Sequence, residues 1–287
     1  MTKKIYIAGS GGMLGDAFHK VFSKDYNIKC TDIDVNENWL SYLDFRNFDD
    51  YLKDVKDFMP DYLFHLGAHT DLEYCEKNIE DAYLTNTLSV ENATYISNKL
   101  NIPLLFISTA GIFDGSKDFF DDWDLPNPLG HYARSKYAAE QFVINNSNRY
   151  FIFRAGWMMG GGRKKDKKFI NKLVKQISSG KKTLNIINDK SGTPTYTFDF
   201  ANNVKLVVEK EFYGLYNLVC GGMTDRLEVA QKLLILLNKS SEINIEVVNS
   251  DYFSNEYFAP RPSCERLLNR KLNLRNLNFM RNWEICL

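Results

Sequence analysis

The sequence has few of the residues from which disulfide frameworks and metal sites are built. Its 287 residues include five cysteines and four histidines. The cysteines are odd in number, scattered and without a CxxC pair, which argues against a disulfide framework and against a zinc site. The histidines have no metal-like spacing. We therefore expect buried free thiols and no metal ion.

Net charge of one sign and long apolar runs are also missing. Lysine plus arginine and aspartate plus glutamate number 36 each, so the overall charge favours neither nucleic acid nor an anionic membrane as a partner. No stretch approaches a membrane span, and the N-terminus is too polar for a signal peptide. We therefore expect a cytoplasmic protein that binds a small molecule, and the sequence leaves its oligomeric state open, with a homodimer as one alternative.

What the chain does contain is an alternation of strand-like and helix-like segments. This pattern predicts an α/β fold of Rossmann type, a doubly wound parallel sheet with helices on both faces. Residues 1–155 should form the nucleotide-binding domain, and residues 156–287 mainly a smaller substrate lobe, interleaved with the end of the sheet. The predicted strands are 4–8, 27–31, 62–66, 103–108 and 150–154, and the predicted helices are 14–22, 48–58, 81–100, 132–145 and 169–179.

A glycine-rich turn follows the first predicted strand. Gly9, Gly12 and Gly15 enclose Met13 and Leu14 in a GxxGxxG spacing. Such glycines allow a tight turn, close approach of the backbone to a pyrophosphate, and phosphate binding at the N-terminus of the next helix. The alternative is a glycine turn that binds no ligand.

An acidic residue, Asp32, ends the second predicted strand, 17 residues after Gly15. Its carboxylate can accept hydrogen bonds from an adenosine ribose and would repel a 2′-phosphate. The sequence therefore favours NAD(H) over NADP(H), which remains an alternative. Asp34 could do the same, and a plain surface turn is the remaining interpretation.

Two further motifs carry polar groups suited to redox chemistry. Ser108 and Thr109 emerge where a buried strand ends, so one hydroxyl can bond a substrate carbonyl. Tyr132 and Lys136 are four residues apart and share a helix face, so the ammonium should favour ionisation of the phenol near neutral pH. Alone, each motif is equally compatible with a structural role.

Taken together, these motifs resemble the extended short-chain dehydrogenase/reductase family, in particular its dTDP-4-dehydrorhamnose reductase branch. The resemblance implies hydride transfer to a keto group on a nucleotide-linked sugar, with Tyr132 as general acid, Lys136 bonding the nicotinamide ribose, Thr109 orienting the carbonyl and Asn86 supporting a proton relay. It also implies cofactor contacts from Asp44, Phe45, Leu66, Gly67 and Ala68, and substrate contacts from Ser108, Ala110, Gly111, Trp157, Lys168, Thr193 and Arg261. Further matching segments are 60–61, 66–70, 113–115, 154–157, 192–195 and 259–262.

The chain departs from this branch after Thr109, where Ala110-Gly111 replaces the usual Asp-Tyr. The loss of two sugar-facing polar groups leaves room for a different sugar and argues against a dehydratase, which needs an acid and a base there. The alternatives are a nucleotide-sugar epimerase with tightly bound NAD and a non-catalytic nucleotide-binding relative. The basic segment 163–168 is either a solvated helix entrance or an attractor of the substrate diphosphate.

Overall fold

A computed structural model describes residues 2–287. Its strands are β1 (Lys4–Ala8), β2 (Asn27–Asp32), β3 (Leu40–Tyr42), β4 (Tyr62–His65), β5 (Leu104–Thr109), β6 (Tyr150–Ala155), β7 (Trp157–Met159), β8 (Thr183–Ile187), β9 (Ser191–Gly192), β10 (Pro194–Tyr196), β11 (Gly214–Leu218), β12 (Thr224–Asp225), β13 (Asn244–Val248) and β14 (Cys264–Glu265). The helices are α1 (Met13–Phe22), α2 (Phe48–Phe58), α3 (Leu72–Lys77), α4 (Ile79–Tyr83), α5 (Ser89–Leu100), α6 (His131–Asn146), α7 (Gly162–Lys165), α8 (Phe169–Ser178), α9 (Thr197–Glu209), α10 (Arg226–Leu236), α11 (Arg270–Leu274) and α12 (Trp283–Cys286).

Seven strands form one parallel sheet in the order β11-β6-β5-β4-β1-β2-β3. The order reverses between β1 and β4, and ligands of such sheets bind beyond the carboxyl ends of the strands at this point. The Rossmann-type prediction is confirmed. Two strands of the sheet, β3 and β11, were not predicted, because β3 is three residues long and β11 follows the predicted domain boundary.

The core has two layers because successive strand residues point to opposite faces of the sheet. On β1, Ile5 and Ile7 pack toward α1 and α9, whereas Tyr6 and Ala8 pack toward α2, α5 and α6. Both faces are thus covered, which explains the nearly continuous apolar sequence of the inner strands. Helix α9 covers one face of the sheet and β11 forms one of its edges, so the chain returns to the sheet after residue 155.

The helix predicted over 81–100 contains a local change of winding. Helix α4 begins at Ile79, and a π-helical segment at Leu84–Leu88 leads into α5. A π segment accommodates one extra residue in the helix and often occurs at functional positions. Here it contains Asn86, which is completely buried.

The smaller lobe has its own apolar cluster, built from α8, α10, β8 and β13. It contains Leu173 of α8, Leu233 and Leu234 of α10, and Leu184 and Ile186 of β8. The lobe faces the carboxyl ends of the sheet strands across one large cleft.

None of the helices between residues 2 and 287 combines the length and the apolar character needed to cross a membrane.

Candidate active site

Only glycine fits at two positions of the turn between β1 and α1. Gly9 has a φ of +75°, and a Cβ there would lie 2.2 Å from the Cα of Gly67. A Cβ on Gly15 would lie 2.1 Å from the carbonyl oxygen of Ser10. At Gly12, which precedes α1, nothing lies within 4 Å of the Cβ position, and no side chain caps the helix. The start of α1 is therefore open to an anion such as a pyrophosphate.

This turn opens onto a cleft of about 1660 Å³ between the sheet and the lobe. We call the wall formed by β1, β2, β4, β5 and α6 the sheet side, and the wall formed by Trp157, Lys168, Phe169, Arg226 and Glu265 the lobe side. Most residues predicted from the sequence line this one cleft: Gly9, Gly12, Met13, Leu14, Gly15, Asp32, Phe45, Leu66, Gly67, Ala68, Ser108, Thr109, Gly111, Tyr132, Lys136, Trp157, Lys168 and Arg261. Asp44, Asn86, Ala110 and Thr193 are not among the lining residues.

Asp32 lies at the end of β2, beside the glycine turn. One carboxylate oxygen accepts a hydrogen bond from the Gly11 backbone N–H at 2.7 Å, and the other accepts one from the Asp34 N–H at 2.9 Å. These bonds fix the carboxylate at the edge of the cleft, where its remaining lone pairs can accept hydrogen bonds from ribose hydroxyls.

Two of the predicted cofactor contacts, Phe45 and Asp44, differ in their surroundings. The Phe45 ring comes within 2.2 Å of the Cβ position of Gly67, so Gly67 lets the ring pack against the backbone of the cleft wall. The Asp44 carboxylate instead pairs with Arg46 at 2.6 Å, and this pairing holds the pKa of Asp44 below its usual range. Because Arg46 also pairs with Asp81, Asp44 belongs to a charge network behind the cleft.

Thr109 and Tyr132 meet where β5 ends and α6 begins. Burial raises the pKa of Tyr132 to about 12, and the Thr109 hydroxyl partly offsets this increase. The phenol is therefore protonated at neutral pH. This differs from the expectation that Lys136 would favour the ionised form, because Lys136 directs its ammonium over the Phe106 ring, 4.2 Å from the ring centre.

Lys136 is itself strongly affected by burial. It is 4% exposed, and burial lowers its pKa to about 7, while the Glu140 carboxylate one helical turn later favours the charged form. Glu140 is completely buried and binds Arg154 of β6 through two hydrogen bonds of 2.6 and 3.1 Å. The sequence reasoning missed Glu140, although its i,i+4 spacing from Lys136 is a signal of contact.

Asn86 fastens two parts of the sheet side together. Its side-chain oxygen accepts a hydrogen bond from the His69 N–H at 2.7 Å, and its amide donates to the His69 carbonyl and to the Ser135 hydroxyl at 3.1 Å each. Ser135 in turn donates to the Tyr132 carbonyl. Asn86 thus holds the turn after β4 against the helix that carries Tyr132 and Lys136.

The residues around Thr109 divide between core and cleft. Ala110 is 1% exposed and packs with Ile112 and Phe113, because the chain turns into a short 3-10 helix that directs Gly111 toward the cleft. The Ser108 hydroxyl is buried without a hydrogen-bond partner in the described chain, so the wall retains a polar group that a ligand can satisfy.

Thr193, predicted as a substrate contact, is not among the residues that line the cleft. It is completely buried, and its carbonyl accepts a hydrogen bond from the Trp157 N–H at 3.0 Å. Thr193 therefore supports Trp157 from behind.

The lobe side centres on Trp157. The Arg226 guanidinium stacks on its indole, 3.6 Å from the ring centre, and also lies 4.6 Å from the centre of the Phe169 ring. The indole N–H donates a 2.7 Å hydrogen bond to Glu265. Burial lowers the pKa of Arg226 to about 10. Within residues 2–287, Arg226 has no salt bridge and donates no hydrogen bond, so it presents a charged donor to the cleft. The sequence reasoning identified neither Arg226 nor Glu265.

The other predicted cations of this region already have partners. Arg261 pairs with Glu73 at 2.7 Å, and Lys168 donates hydrogen bonds to the backbone and hydroxyl of Thr70. In the basic segment 163–168, Lys164 pairs with Glu37 at 3.1 Å. These contacts connect the segment to the sheet side at the mouth of the cleft.

Free thiols occur as predicted, with four of the five cysteines buried. Asp199, Cys220 and Cys286 form a group with potential metal ligands, but Asp199 is paired with Arg281 at 2.8 Å. None of these residues lines the cleft.

Comparison with known proteins agrees with this architecture. A family model described as the RmlD substrate binding domain matches residues 3–287. A dTDP-4-dehydrorhamnose reductase of Salmonella typhimurium is 26% identical, over 99% of this chain and 93% of the relative. The spore coat polysaccharide biosynthesis protein SpsK of Bacillus subtilis is 25% identical, over 94% of this chain and 90% of the relative.

Solved structures give the same result. The crystal structure of a dTDP-4-dehydrorhamnose reductase from Bacillus anthracis in complex with NADP superimposes with a TM-score of 0.90 at 26% identity, covering 99% of this chain and 97% of the other. The fold is thus shared over nearly the whole chain. The chain belongs to the RmlD family of extended short-chain dehydrogenases/reductases.

Proposed function

We propose that the protein is an NAD(P)H-dependent reductase of a keto group on a nucleotide-linked sugar. The observation that carries this proposal is the convergence of Thr109, Tyr132 and Lys136 beside the glycine turn, in a cleft whose opposite wall presents Arg226. A bound nicotinamide cofactor would supply the hydride. The relatives named dTDP-4-dehydrorhamnose reductase support a sugar nucleotide as substrate.

In the proposed reaction Tyr132 gives its proton to the carbonyl oxygen of the sugar. Its raised pKa keeps that proton in place at neutral pH, as a general acid requires. Thr109, at the end of β5, orients the same carbonyl oxygen by hydrogen bonding. Lys136 binds the nicotinamide ribose and, once charged, favours the phenolate left after proton transfer. Asn86 acts as a positioning residue for the helix that carries both groups.

The lobe side is proposed to bind the diphosphate of the substrate. Arg226 is suited to this role because a guanidinium binds phosphate oxygens through paired hydrogen bonds and Arg226 has no protein acceptor. Its stacking on Trp157 keeps the guanidinium in place before the substrate arrives.

On the sheet side we propose that NADH is preferred to NADPH. Asp32 places a fixed negative charge where the adenosine ribose is expected, and Asp34 adds a second carboxylate nearby. Lys164 and Lys165, which could otherwise balance a 2′-phosphate, both lie against Glu37.

The test is a screen of dTDP-, GDP-, UDP- and CDP-linked 4-keto sugars with NADH and NADPH. Loss of the reduced-cofactor absorbance is followed, and the product sugar is resolved. We expect one or more pairs to give one nucleotide-linked sugar with a hydroxyl in place of the keto group per cofactor oxidised. Inversion of a sugar carbon without net oxidation of the added NADH or NADPH would replace the reductase by an epimerase, and no reaction in any pair would contradict enzymatic activity of this type.

A further inference from the structure

The carboxylate of Glu265 lies beside Gly111, one of the two positions after Thr109 where this chain lacks a polar side chain. A Cβ added to Gly111 would lie 3.2 Å from a carboxylate oxygen of Glu265 and 3.5 Å from the Thr109 hydroxyl. The Glu265 oxygen and the hydroxyl that is proposed to orient the carbonyl therefore both border the space at position 111. Although Glu265 is distant in sequence, it occupies the space that a larger residue at position 111 would fill.

The Glu265 side chain is fixed through Trp157. The indole N–H binds one carboxylate oxygen, Oε2, at 2.7 Å. The indole itself is held between the Arg226 guanidinium and the backbone of Gly192, whose Cβ position is only 2.3 Å from the ring. The strand that carries Glu265 pairs with Gly192, so the carboxylate and its support belong to one small sheet.

The second carboxylate oxygen of Glu265, Oε1, is available to a ligand. It accepts no hydrogen bond within residues 2–287, and Glu265 lines the cleft. An oxygen of this kind accepts a hydrogen bond from a hydroxyl or from an ammonium group. The neighbouring charge distinguishes these donors, because the Arg226 guanidinium stacks on the same indole that binds Glu265 and would repel a cationic sugar.

We propose that Glu265 determines the sugar specificity of this enzyme by accepting a hydrogen bond from a neutral hydroxyl on the carbon next to the reacting carbonyl. This inference rests on the proposed reductase function. It assigns to β14 the recognition of the sugar ring by a polar side chain, which Ala110 and Gly111 do not carry. The substrate class is accordingly a hydroxylated keto sugar, without an amino group at that carbon.

The experiment compares two substrates for each variant. One is the 4-keto sugar nucleotide that gives turnover with the wild-type protein, and the other is its analogue lacking the hydroxyl at the neighbouring carbon. For Glu265→Ala we expect kcat/KM to fall about 10- to 100-fold with the hydroxylated sugar, the usual effect of losing a hydrogen bond to a charged group. The deoxy analogue should lose less than about three-fold, because it makes no such bond.

Glu265→Gln keeps the shape of the side chain and one acceptor oxygen. We expect its kcat/KM with the hydroxylated sugar to lie between the values for the wild type and Glu265→Ala. Glu246→Ala is the matched control, since Glu246 is exposed on β13 and does not line the cleft. The Kd of the reduced cofactor, measured by fluorescence, should be unchanged in every variant.

Three outcomes would overturn the inference: equal losses for the two substrates, no loss with the hydroxylated sugar, or, with a third analogue that carries an amino group at that carbon, a higher kcat/KM in the wild type. A wild-type protein inactive toward every keto sugar would instead contradict the proposed function. The two failures are therefore distinguishable.

Discussion

On the sheet side, the cleft is lined in part by the main chain of Gly9, Gly12 and Gly67. On the lobe side, it is lined by the long side chains of Arg226 and Glu265. The sheet side suits a ligand that is always the same, because backbone groups at strand ends change little with sequence. The lobe side suits a ligand that varies between relatives, because single substitutions there replace a charge or a donor. This contrast predicts that variants on the two sides will affect different ligands.

The largest effect is expected at the proposed reacting centre on the sheet side, in Tyr132→Phe. Removing the phenol hydroxyl should reduce turnover by a factor of about 10² or more, because the carbonyl oxygen loses its general acid. The Kd values of cofactor and sugar nucleotide should both remain close to wild type. Steady-state kinetics and cofactor fluorescence provide the measurements.

Tyr137→Phe is the control for this change, since Tyr137 lies on the same helix and does not line the cleft. Its turnover should equal that of the wild-type protein. Full activity in Tyr132→Phe would show that another group supplies the proton.

A smaller effect is expected on the lobe side from Arg226→Met. Loss of a charge-assisted hydrogen bond to the diphosphate, about 1.5–3 kcal/mol, should raise the KM of the sugar nucleotide about 10-fold or more. The KM of the reduced cofactor should not change. Arg270→Met, on the exposed start of α11, is the comparison variant. A change in cofactor KM alone would contradict the assignment of Arg226 to the lobe side.

The smallest effect is expected on the sheet side from Asp32→Ala. Removing the fixed charge should increase the efficiency of NADPH relative to NADH about five-fold, which corresponds to about 1 kcal/mol of relieved repulsion in a solvated site. The ratio of kcat/KM values for the two cofactors measures this shift. Asp34→Ala serves as the alternative, and a larger shift in that variant would transfer the role to Asp34.

The same contrast explains which parts of the site could be predicted from the sequence. Gly9 and Asp32 follow strands, and Tyr132 and Lys136 share one helix face, so local patterns reveal them. Arg226 and Glu265 become neighbours only when β12, α10 and β14 fold onto β7 and β9, and no local pattern indicates that contact. The return of the chain to the sheet was expected, but the residues of strand β11 were not predicted for a related reason, since this strand follows a long segment that forms part of the lobe.

Two expectations about individual groups depended on burial, which spacing does not reveal. Tyr132 and Lys136 lie on one helix, as their spacing predicts. Burial nevertheless controls the pKa values of both side chains and keeps the phenol protonated. Ala110 and Thr193 lie in motifs that match the family, but their side chains pack away from the cleft. A motif thus identifies a segment more reliably than it identifies which of its side chains faces the ligand.

The π segment at Leu84–Leu88 has a consequence for how the catalytic helix is held. In a regular α-helix, adjacent residues point about 100° apart, so only one of them can face a given neighbour. In the wider turn, Asn86 and Thr87 both reach Ser135, one at its hydroxyl and the other at its carbonyl. The π segment therefore holds α6 through two hydrogen bonds to the same residue. We expect that deleting one residue of the π segment would restore regular α-helical winding and break one of these two hydrogen bonds. The orientation of the helix that carries Tyr132 thus depends on the extra residue in the helix that carries Asn86.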